Sequence, residues 1–128
     1  MIPRWLRRDG RTTHDRGADA ESFALEYLQK AGLRLLERNY KTPGRGGGEI
    51  DLIMQTPDDV VVFVEVRARS NPHYGGAAAS IHERKRRRII FAAQQWLLKF
   101  RTPPPCRFDV IALDGEHIEW LRAAFDAS

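Results

Sequence analysis

Two stretches of the chain alternate apolar and polar residues with a period of two, the pattern of β-strands. They are GEIDLIMQT at residues 48–56 and DVVVFVEVRARS at residues 59–70. The even-numbered positions from Ile50 to Val66 are apolar outside the turn: Ile50, Leu52 and Met54 in the first stretch, and Val60, Val62, Val64 and Val66 in the second. Because strand side chains alternate between the two sides of a sheet, this even face is predicted to enter the core.

A short turn between the two stretches predicts that they pair as a hairpin. Pro57 and two aspartates follow Thr56, and these residue types are typical of turns. A loop of residues 57–59 sets Thr56 opposite Val60, so that the numbers of paired residues sum to 116. This register makes specific predictions about which side chains face each other.

Two further stretches repeat apolar residues with the period of a helix. GADAESFALEYLQKAG, residues 17–32, predicts an amphipathic helix that ends at Gly32. IHERKRRRIIFAAQQWLLKF, residues 81–100, predicts a longer helix that stops before TPPP. Each helix has one apolar stripe and is expected to cover the sheet.

The remaining segments complete a mixed α/β fold. Residues 33–40 read as a first strand, and residues 106–113 and 116–121 as a closing hairpin with a turn at Asp114 and Gly115. The glycine-rich residues 41–48 and residues 71–80 are predicted loops, the first of them flexible. The predicted order is αβββαββ, with five strands in one mixed sheet flanked by helices.

Length and composition indicate one compact domain. The chain has 128 residues, of which 42% are hydrophobic and 30% charged. Residues 1–14 lack any period and are predicted to be a flexible basic arm, and residues 15–128 a single domain. One cysteine, no apolar leader and no run long enough to span a bilayer favour a cytoplasmic protein without membrane contact.

The basic charge of the chain is compatible with a polyanionic partner. The net charge is +4, and the cations are 17 Arg and 4 Lys. Arginine binds phosphate bidentately, which favours a nucleic-acid partner. Genomic codon bias explains the same composition equally well.

The odd face of the hairpin carries acids where a core strand is expected to be apolar. In the predicted register Asp51 faces Glu65, and Glu49 faces Arg67. Opposed like charges are unfavourable, and burial beside the core raises that cost. A cation is therefore expected between Asp51 and Glu65.

Two interpretations of these acids remain open. Asp51 and Glu65, with a third carboxylate from Glu49 or from Glu21 on the first helix, suit Mg²⁺ or Mn²⁺ in phosphodiester chemistry. Alternatively, the acids form ion pairs with nearby arginines, of which Arg67, Arg69 and Arg107 are candidates.

Four segments taken together carry a resemblance to a known family. They are GADAESFALEYLQKAG, GEIDLI, FVEVRARS and RFDVIAL, in this order over about residues 15–121. The chain resembles the YraN family of bacterial proteins, which is similar to restriction-endonuclease-like nucleases and Holliday-junction resolvases. The resemblance implies a restriction-endonuclease-like core. It also implies nuclease roles for Asp51 and Glu65 as metal-binding catalytic acids, with Glu21 as the acid of the first helix.

One residue departs from the nuclease motif. Arg67 stands where the motif has lysine, and guanidinium does not release a proton as an amine does. Arg67 is still able to orient water or neutralise transition-state charge. Lys85, on the apolar stripe of the long helix, either reaches the acids in its place or extends its ammonium into water.

The basic run ERKRRR, residues 83–88, supplies candidate nucleic-acid contacts. We expect Arg84, Lys85, Arg87 and Arg88 to hold phosphate together with Arg69, with salt-sensitive affinity. An ordinary solvated helix face is the alternative interpretation.

Three functional hypotheses follow. The first is a Mg²⁺- or Mn²⁺-dependent nuclease acting on DNA, with branched DNA among its candidate substrates and Asp51, Glu65 and Arg67 in catalysis. The second is a DNA-binding module of the same fold without activity. The third is a protein-interaction domain. Resolvase-like folds often act as dimers, so a homodimer is one of the states open to this chain, although no feature of the sequence identifies a dimer face.

Overall fold

The computed structural model describes residues 13–44, 46–69, 81–115 and 117–127, with only the backbone for residues 13–18 and Arg69. Two helices and five strands follow one another in chain order: α1 (Thr13–Lys30), β1 (Arg34–Lys41), β2 (Glu49–Gln55), β3 (Val61–Arg69), α2 (Glu83–Leu97), β4 (Cys106–Asp114) and β5 (His117–Phe125). This succession confirms the predicted order αβββαββ.

The strands form one five-stranded sheet in the order β1-β2-β3-β4-β5. β3 and β4 are parallel, and the other neighbours are antiparallel. Parallel neighbours need a long crossover connection, and the segment between β3 and β4 contains α2. The mixed α/β sheet predicted from the sequence is therefore confirmed.

Each side of the sheet carries a hydrophobic cluster with one helix packed on it. Small residues of α1, Ala20 and Ala24, lie in a cluster with Leu52 and Val64 from the even face of the hairpin. Ala92, Ala93 and Trp96 of α2 lie in the other cluster with odd-face residues, including Phe63. A sheet covered on both sides explains why β2 and β3 are apolar on both faces near their turn.

The hairpin turn has the predicted loop and register. The Thr56 amide donates to the Val60 carbonyl at 2.9 Å, and Asp59 has a left-handed backbone with φ +67°. Gln55 pairs with Val61, and Leu52 pairs with Val64. The predicted register, in which the numbers of paired residues sum to 116, is thus confirmed from the turn as far as the Leu52–Val64 pair.

Beyond Leu52 the strict alternation of faces fails, and the prediction for Ile50 is wrong. Ile50 packs in the cluster with α2, whereas Leu52 packs in the cluster with α1. Across β1, Tyr40 pairs with Ile50 and Arg38 pairs with Leu52, and between them Asn39 has φ +55°. The regular pairing of β2 with β3 also ends at Leu52, so the ladder that fixes the alternation near the turn does not extend to Ile50.

The ends of several elements differ from the predictions. α1 begins at Thr13, four residues before the predicted start at Gly17, because a single glycine destabilises a helix by only about 1 kcal/mol. α2 ends at Leu97, three residues before the predicted end. β5 extends to Phe125, beyond residues 116–121. Apart from Thr13 and His14, the predicted arm lies outside the described residues, as do residues 71–80.

A buried carboxylate joins β4 and β5. Asp109 is fully buried and accepts hydrogen bonds from Arg107 Nε at 3.0 Å, Trp120 Nε1 at 2.9 Å and the Ala123 amide at 2.9 Å. The register shifts between Phe108 and Val110 at this point. Arg107, a candidate partner for the hairpin acids, therefore pairs with Asp109.

No helix among the described residues is long and apolar enough to cross a membrane.

Candidate functional site

A cleft of about 730 Å³ opens where the first part of β2 meets the N-terminal half of α2. Its walls include Asp51 and Glu65 from the hairpin and four glycines of the β1–β2 loop. Around the start of α2 they include His82, Arg84, Lys85, Arg88 and Ile89. The acids that the sequence singled out on β2 and β3 therefore face a concave surface rather than bulk solvent.

Asp51 binds the backbone of the neighbouring strand through its side chain. The paired positions of β2 and β3 end at Leu52 and Val64, so the predicted Asp51–Glu65 pair lies beyond the regular ladder. Instead, Asp51 Oδ2 accepts a hydrogen bond from the Val66 amide at 2.8 Å. This bond satisfies a β3 donor and holds the Asp51 carboxylate at the place where the two strands separate.

Glu65 is a buried acid with two cationic side chains nearby, at different distances. Only 3% of its surface is exposed. Lys85 Nζ lies 2.9 Å from Glu65 Oε1, whereas Arg67 Nη1 lies 3.9 Å from the same oxygen. The Lys85 ammonium therefore reaches the acids, as the first of its two interpretations predicts, rather than extending into water.

Burial and neighbouring acids raise the pKa of Asp51 to about 7. Loss of hydration is the largest cause, followed by the charges of Glu65 and, more weakly, Glu49. The Val66 hydrogen bond and the Lys85 ammonium lower the pKa and only partly offset these effects. The protein thus stabilises the ionised form of Asp51 less than water does. Such destabilised charges are common among functional acids.

Glu21 lies on α1 and contributes to the same electrostatic field. Burial raises the pKa of Glu21, and the charges of Asp51 and Glu49 raise it further. Arg38 Nε lies 3.8 Å from Glu21 Oε1, and a hydrogen bond from Asn39 also favours the ionised form. Glu21 is therefore held beside β1, within electrostatic range of Asp51 but outside the residues that line the cleft.

These acids have the right chemistry for a hard divalent cation but do not form a complete cage. Oxygen ligands suit Mg²⁺ and Mn²⁺, and Mg²⁺ commonly uses one or two carboxylates together with water and substrate phosphate. Within the described part of the chain, no three Asp, Glu, His or Cys side chains are grouped closely enough to hold one ion. Asp51 and Glu65 fit a two-carboxylate site, and a third carboxylate from Glu21 or Glu49 remains a prediction.

The cations predicted to contact nucleic acid occupy different positions. Arg84, Lys85 and Arg88 line the cleft, whereas Arg87 is exposed on α2 outside the residues that line it. The side chain of Arg69 lies outside the described residues. The helical period explains this division, because positions 84, 85 and 88 share one face and position 87 is displaced from it.

Sequence reasoning missed Lys41 and His82, which also line the cleft. Lys41 ends β1 beside the glycine-rich loop, and His82 immediately precedes α2. Lys41 stands apart from other charged residues in the sequence, and His82 lies one residue before the basic run 83–88. Only the packing of the sheet against α2 brings the two together. They add basic groups to the rim around the acids.

The glycine-rich loop closes on itself and allows α2 to approach β2. The Thr42 amide donates to the Gly48 carbonyl at 3.0 Å, and the Gly48 amide donates to Thr42 Oγ1 at 2.8 Å. A Cβ at Gly48 would lie 1.9 Å from the Arg88 carbonyl oxygen. Gly48 is therefore required for the close packing of α2 that forms one wall of the cleft.

The fold and the cleft define an α/β protein with a mixed sheet, paired carboxylates at the floor of a cleft and basic residues around its rim. The model of the uncharacterised protein family UPF0102 matches residues 20–113. The chain belongs to this family, which confirms the YraN resemblance.

Close relatives cover nearly the whole chain. The UPF0102 protein of Albidiferax ferrireducens is 63% identical over 116 residues, covering 91% of each chain. That of Paracidovorax citrulli is 60% identical over 116 residues, or 91% of this chain and 86% of the relative. That of Methylibium petroleiphilum is 54% identical over 120 residues, or 91% of this chain and 98% of the relative.

Proposed function

We propose that this protein is a Mg²⁺- or Mn²⁺-dependent nuclease that cleaves DNA phosphodiesters. The observation that carries the proposal is that Asp51 and Glu65 line the same cleft, within electrostatic range of each other, together with Arg84 and Arg88. Acids at the floor would attract a cation, and arginines at the rim would attract phosphate. A substrate that brings phosphate to a divalent cation unites both features.

The residues divide the work of hydrolysis between them. A bound divalent cation would supply Lewis acidity for phosphodiester hydrolysis. Asp51 is fixed by the Val66 amide, so its carboxylate is held in a defined direction before any ligand binds. Glu65 is the second proposed ligand, and Glu21 and Glu49 increase the local negative potential that favours a cation. Arg67, beside Glu65, is able to position water or stabilise negative charge.

The proposed nuclease relationship extends to the fold. The acids lie on β2 and β3 of a mixed sheet, with an additional acid on α1, in the order that the restriction-endonuclease-like resemblance implies. We propose that core for this chain, and the cytoplasm as the compartment where it meets DNA. A homodimer would present two clefts to a two-fold symmetric junction, and sedimentation equilibrium measures the oligomeric state.

Cleavage by matched variants tests the activity. Purified wild type is incubated with labelled four-way, flap and linear DNA in Mg²⁺ and in Mn²⁺, beside Glu65→Gln prepared identically. We expect wild type to cut at least one substrate and the variant to cut none, because the substitution removes one of the two carboxylates proposed to bind the cation. Equal cleavage by both preparations would indicate a contaminant and refute the proposal.

DNA affinity tests whether the arginines that line the cleft contribute more to binding than Arg87, which lies outside it. We expect the Arg84→Glu, Arg88→Glu double variant to weaken binding strongly and to reduce its salt dependence. Arg87→Glu makes the same change of charge on the same helix outside the cleft. If the two variants lose the same DNA affinity for each charge reversed, the result would contradict binding through the cleft.

A DNA-binding module without activity is the second candidate. Arg67 in the place of the motif lysine favours it, because guanidinium does not release a proton as an amine does. This candidate predicts salt-dependent binding by wild type and Glu65→Gln alike, with no cleavage by either.

A further inference from the structure

We infer that Lys85 is the catalytic cation of this cleft and that Arg67 is secondary to it. The inference rests on the proposed function and names a residue for it. Lys85 would donate hydrogen bonds to the non-bridging oxygens of the scissile phosphate, while Glu65 holds its ammonium in place.

The contact with Glu65 is the first observation. Lys85 Nζ lies 2.9 Å from Glu65 Oε1, within hydrogen-bond distance, and Glu65 is almost completely buried. The side chain of Lys85 is 46% exposed, so it spans from the helix surface to the floor of the cleft. An ammonium has three donors, and one bond to Glu65 leaves two for a ligand in the cleft.

The position of Lys85 on α2 is the second observation. A Cβ at Gly48 would meet the Arg88 carbonyl oxygen at 1.9 Å and the Ala92 side chain at 3.2 Å. Residues 85, 88 and 92 share one face of the helix. α2 therefore packs against the residue that precedes β2 with the face that carries Lys85, the side chain that contacts Glu65.

Distance separates Lys85 from Arg67. Lys85 Nζ lies 2.9 Å from Glu65 Oε1, whereas Arg67 Nη1, on the same strand as Glu65, lies 3.9 Å from that oxygen. Lys85 also lines the cleft, and Arg67 is not among the residues that do.

The assigned role requires no proton from Lys85. In hydrolysis, the oxygen of water forms a bond to phosphorus and the bond from phosphorus to the leaving oxygen breaks. The attacking water releases a proton to solvent, and the leaving oxygen takes one from solvent. Lys85 stays protonated and stabilises the negative charge that accumulates on the non-bridging oxygens.

Single-turnover cleavage with separate measurement of DNA affinity tests the assignment. Lys85→Gln is expected to lower the cleavage rate constant about 100-fold, as for removal of one preorganised donor. Its DNA dissociation constant, measured in EDTA by fluorescence anisotropy, should change less than about threefold, since one phosphate contact of several is lost. Lys85→Arg should recover part of the rate because it restores a charged donor.

Two variants complete the comparison. Arg67→Gln is expected to lose less activity than Lys85→Gln. Lys30→Gln removes the same charge from an exposed lysine of α1 that pairs with Glu26, and it should cut like wild type. Circular-dichroism melting verifies that each variant folds. If Lys85→Gln does not fold, the comparison of Lys85→Arg with wild type still tests the inference.

The outcomes distinguish this inference from the proposed function. Cleavage by wild type with a selective loss of rate in Lys85→Gln supports the inference. Cleavage by wild type and Lys85→Gln at similar rates, or a loss confined to DNA affinity, overturns the inference and leaves the proposed nuclease intact. A wild type that cuts no substrate overturns both.

Discussion

The incompletely compensated charge of Asp51 makes a quantitative prediction about stability. Raising the pKa of this carboxyl from 3.8 to about 7 corresponds to about 4 kcal/mol against the ionised form, at 1.36 kcal/mol for each tenfold change in proton affinity. The side chain is only partly buried and solvent screens some of this energy, so we expect about half of it to appear experimentally. Asp51→Asn removes the charge while keeping an oxygen that can accept from the Val66 amide.

The effect should depend on pH with a defined sign. Between about pH 4 and pH 7 the folded protein retains a proton on Asp51 that the unfolded chain has released. The contribution of Asp51 to stability is therefore fully present below about pH 4 and is lost as the pH rises through about 7. Asp51→Asn should remove this part of the pH dependence.

Chemical and thermal unfolding at two pH values measure the prediction. At pH 8.5 we expect Asp51→Asn to be about 2 kcal/mol more stable than wild type, or about 6–10 °C in melting temperature for a domain of this size. At about pH 4 the difference should nearly vanish. Millimolar Mn²⁺ should stabilise wild type more than the variant if a cation binds beside Asp51.

Asp58→Asn is a matched control at the other end of the same hairpin. A hydrogen bond from the Thr56 hydroxyl, at 2.6 Å, lowers the pKa of Asp58, so its ionised form is favoured in the folded protein. This variant should therefore show no gain at pH 8.5. An Asp51→Asn protein no more stable than wild type at pH 8.5, or equally stabilised at every pH, would refute the electrostatic argument.

Two further predictions concern the framework of the site. Asp109→Ala should lower the free energy of unfolding by about 3–5 kcal/mol, because it leaves Arg107 without its buried partner and removes acceptors for Trp120 and Ala123. Urea titration measures this, and a loss below about 1 kcal/mol would contradict it. Gly48→Ala should destabilise by about 2–3 kcal/mol and weaken DNA binding, because the new Cβ displaces Arg88 and the cleft wall. Gly115 lies in the turn between β4 and β5, outside the residues that line the cleft, and a Cβ there meets nothing within 4 Å. Alanine at Gly115 should impose only the roughly 1–2 kcal/mol of its left-handed backbone and leave DNA binding unchanged.

The hairpin illustrates how far periodicity predicts structure. Its register depends on the turn and on alternate burial, both of which are local, and it holds from Thr56 to the Leu52–Val64 pair. It fails at Ile50, which lies beyond the end of the regular pairing between β2 and β3. Nothing in the sequence of β2 itself records where that pairing ends.

The cations of the site show the corresponding limit for function. The pattern around Lys85 was compatible with a contact to the acids and with exposure to water, because both place its stem on the apolar stripe of α2. Lys41 and His82 carried no motif at all, although they line the same cleft. Their roles depend on where α2 crosses the sheet, and the contact of Gly48 with Arg88 helps to set that position.

The amino-acid sequence by itself determined the succession of helices and strands, the pairing of the hairpin near its turn and the presence of Asp51 and Glu65 at one end of it. These features follow from interactions between residues close in the chain. Tertiary structure alone decided that Lys85 reaches Glu65, that Asp51 binds the Val66 amide and that Arg107 pairs with Asp109. Those choices depend on the distance and direction between elements that only packing of the helices and pairing of the strands establish.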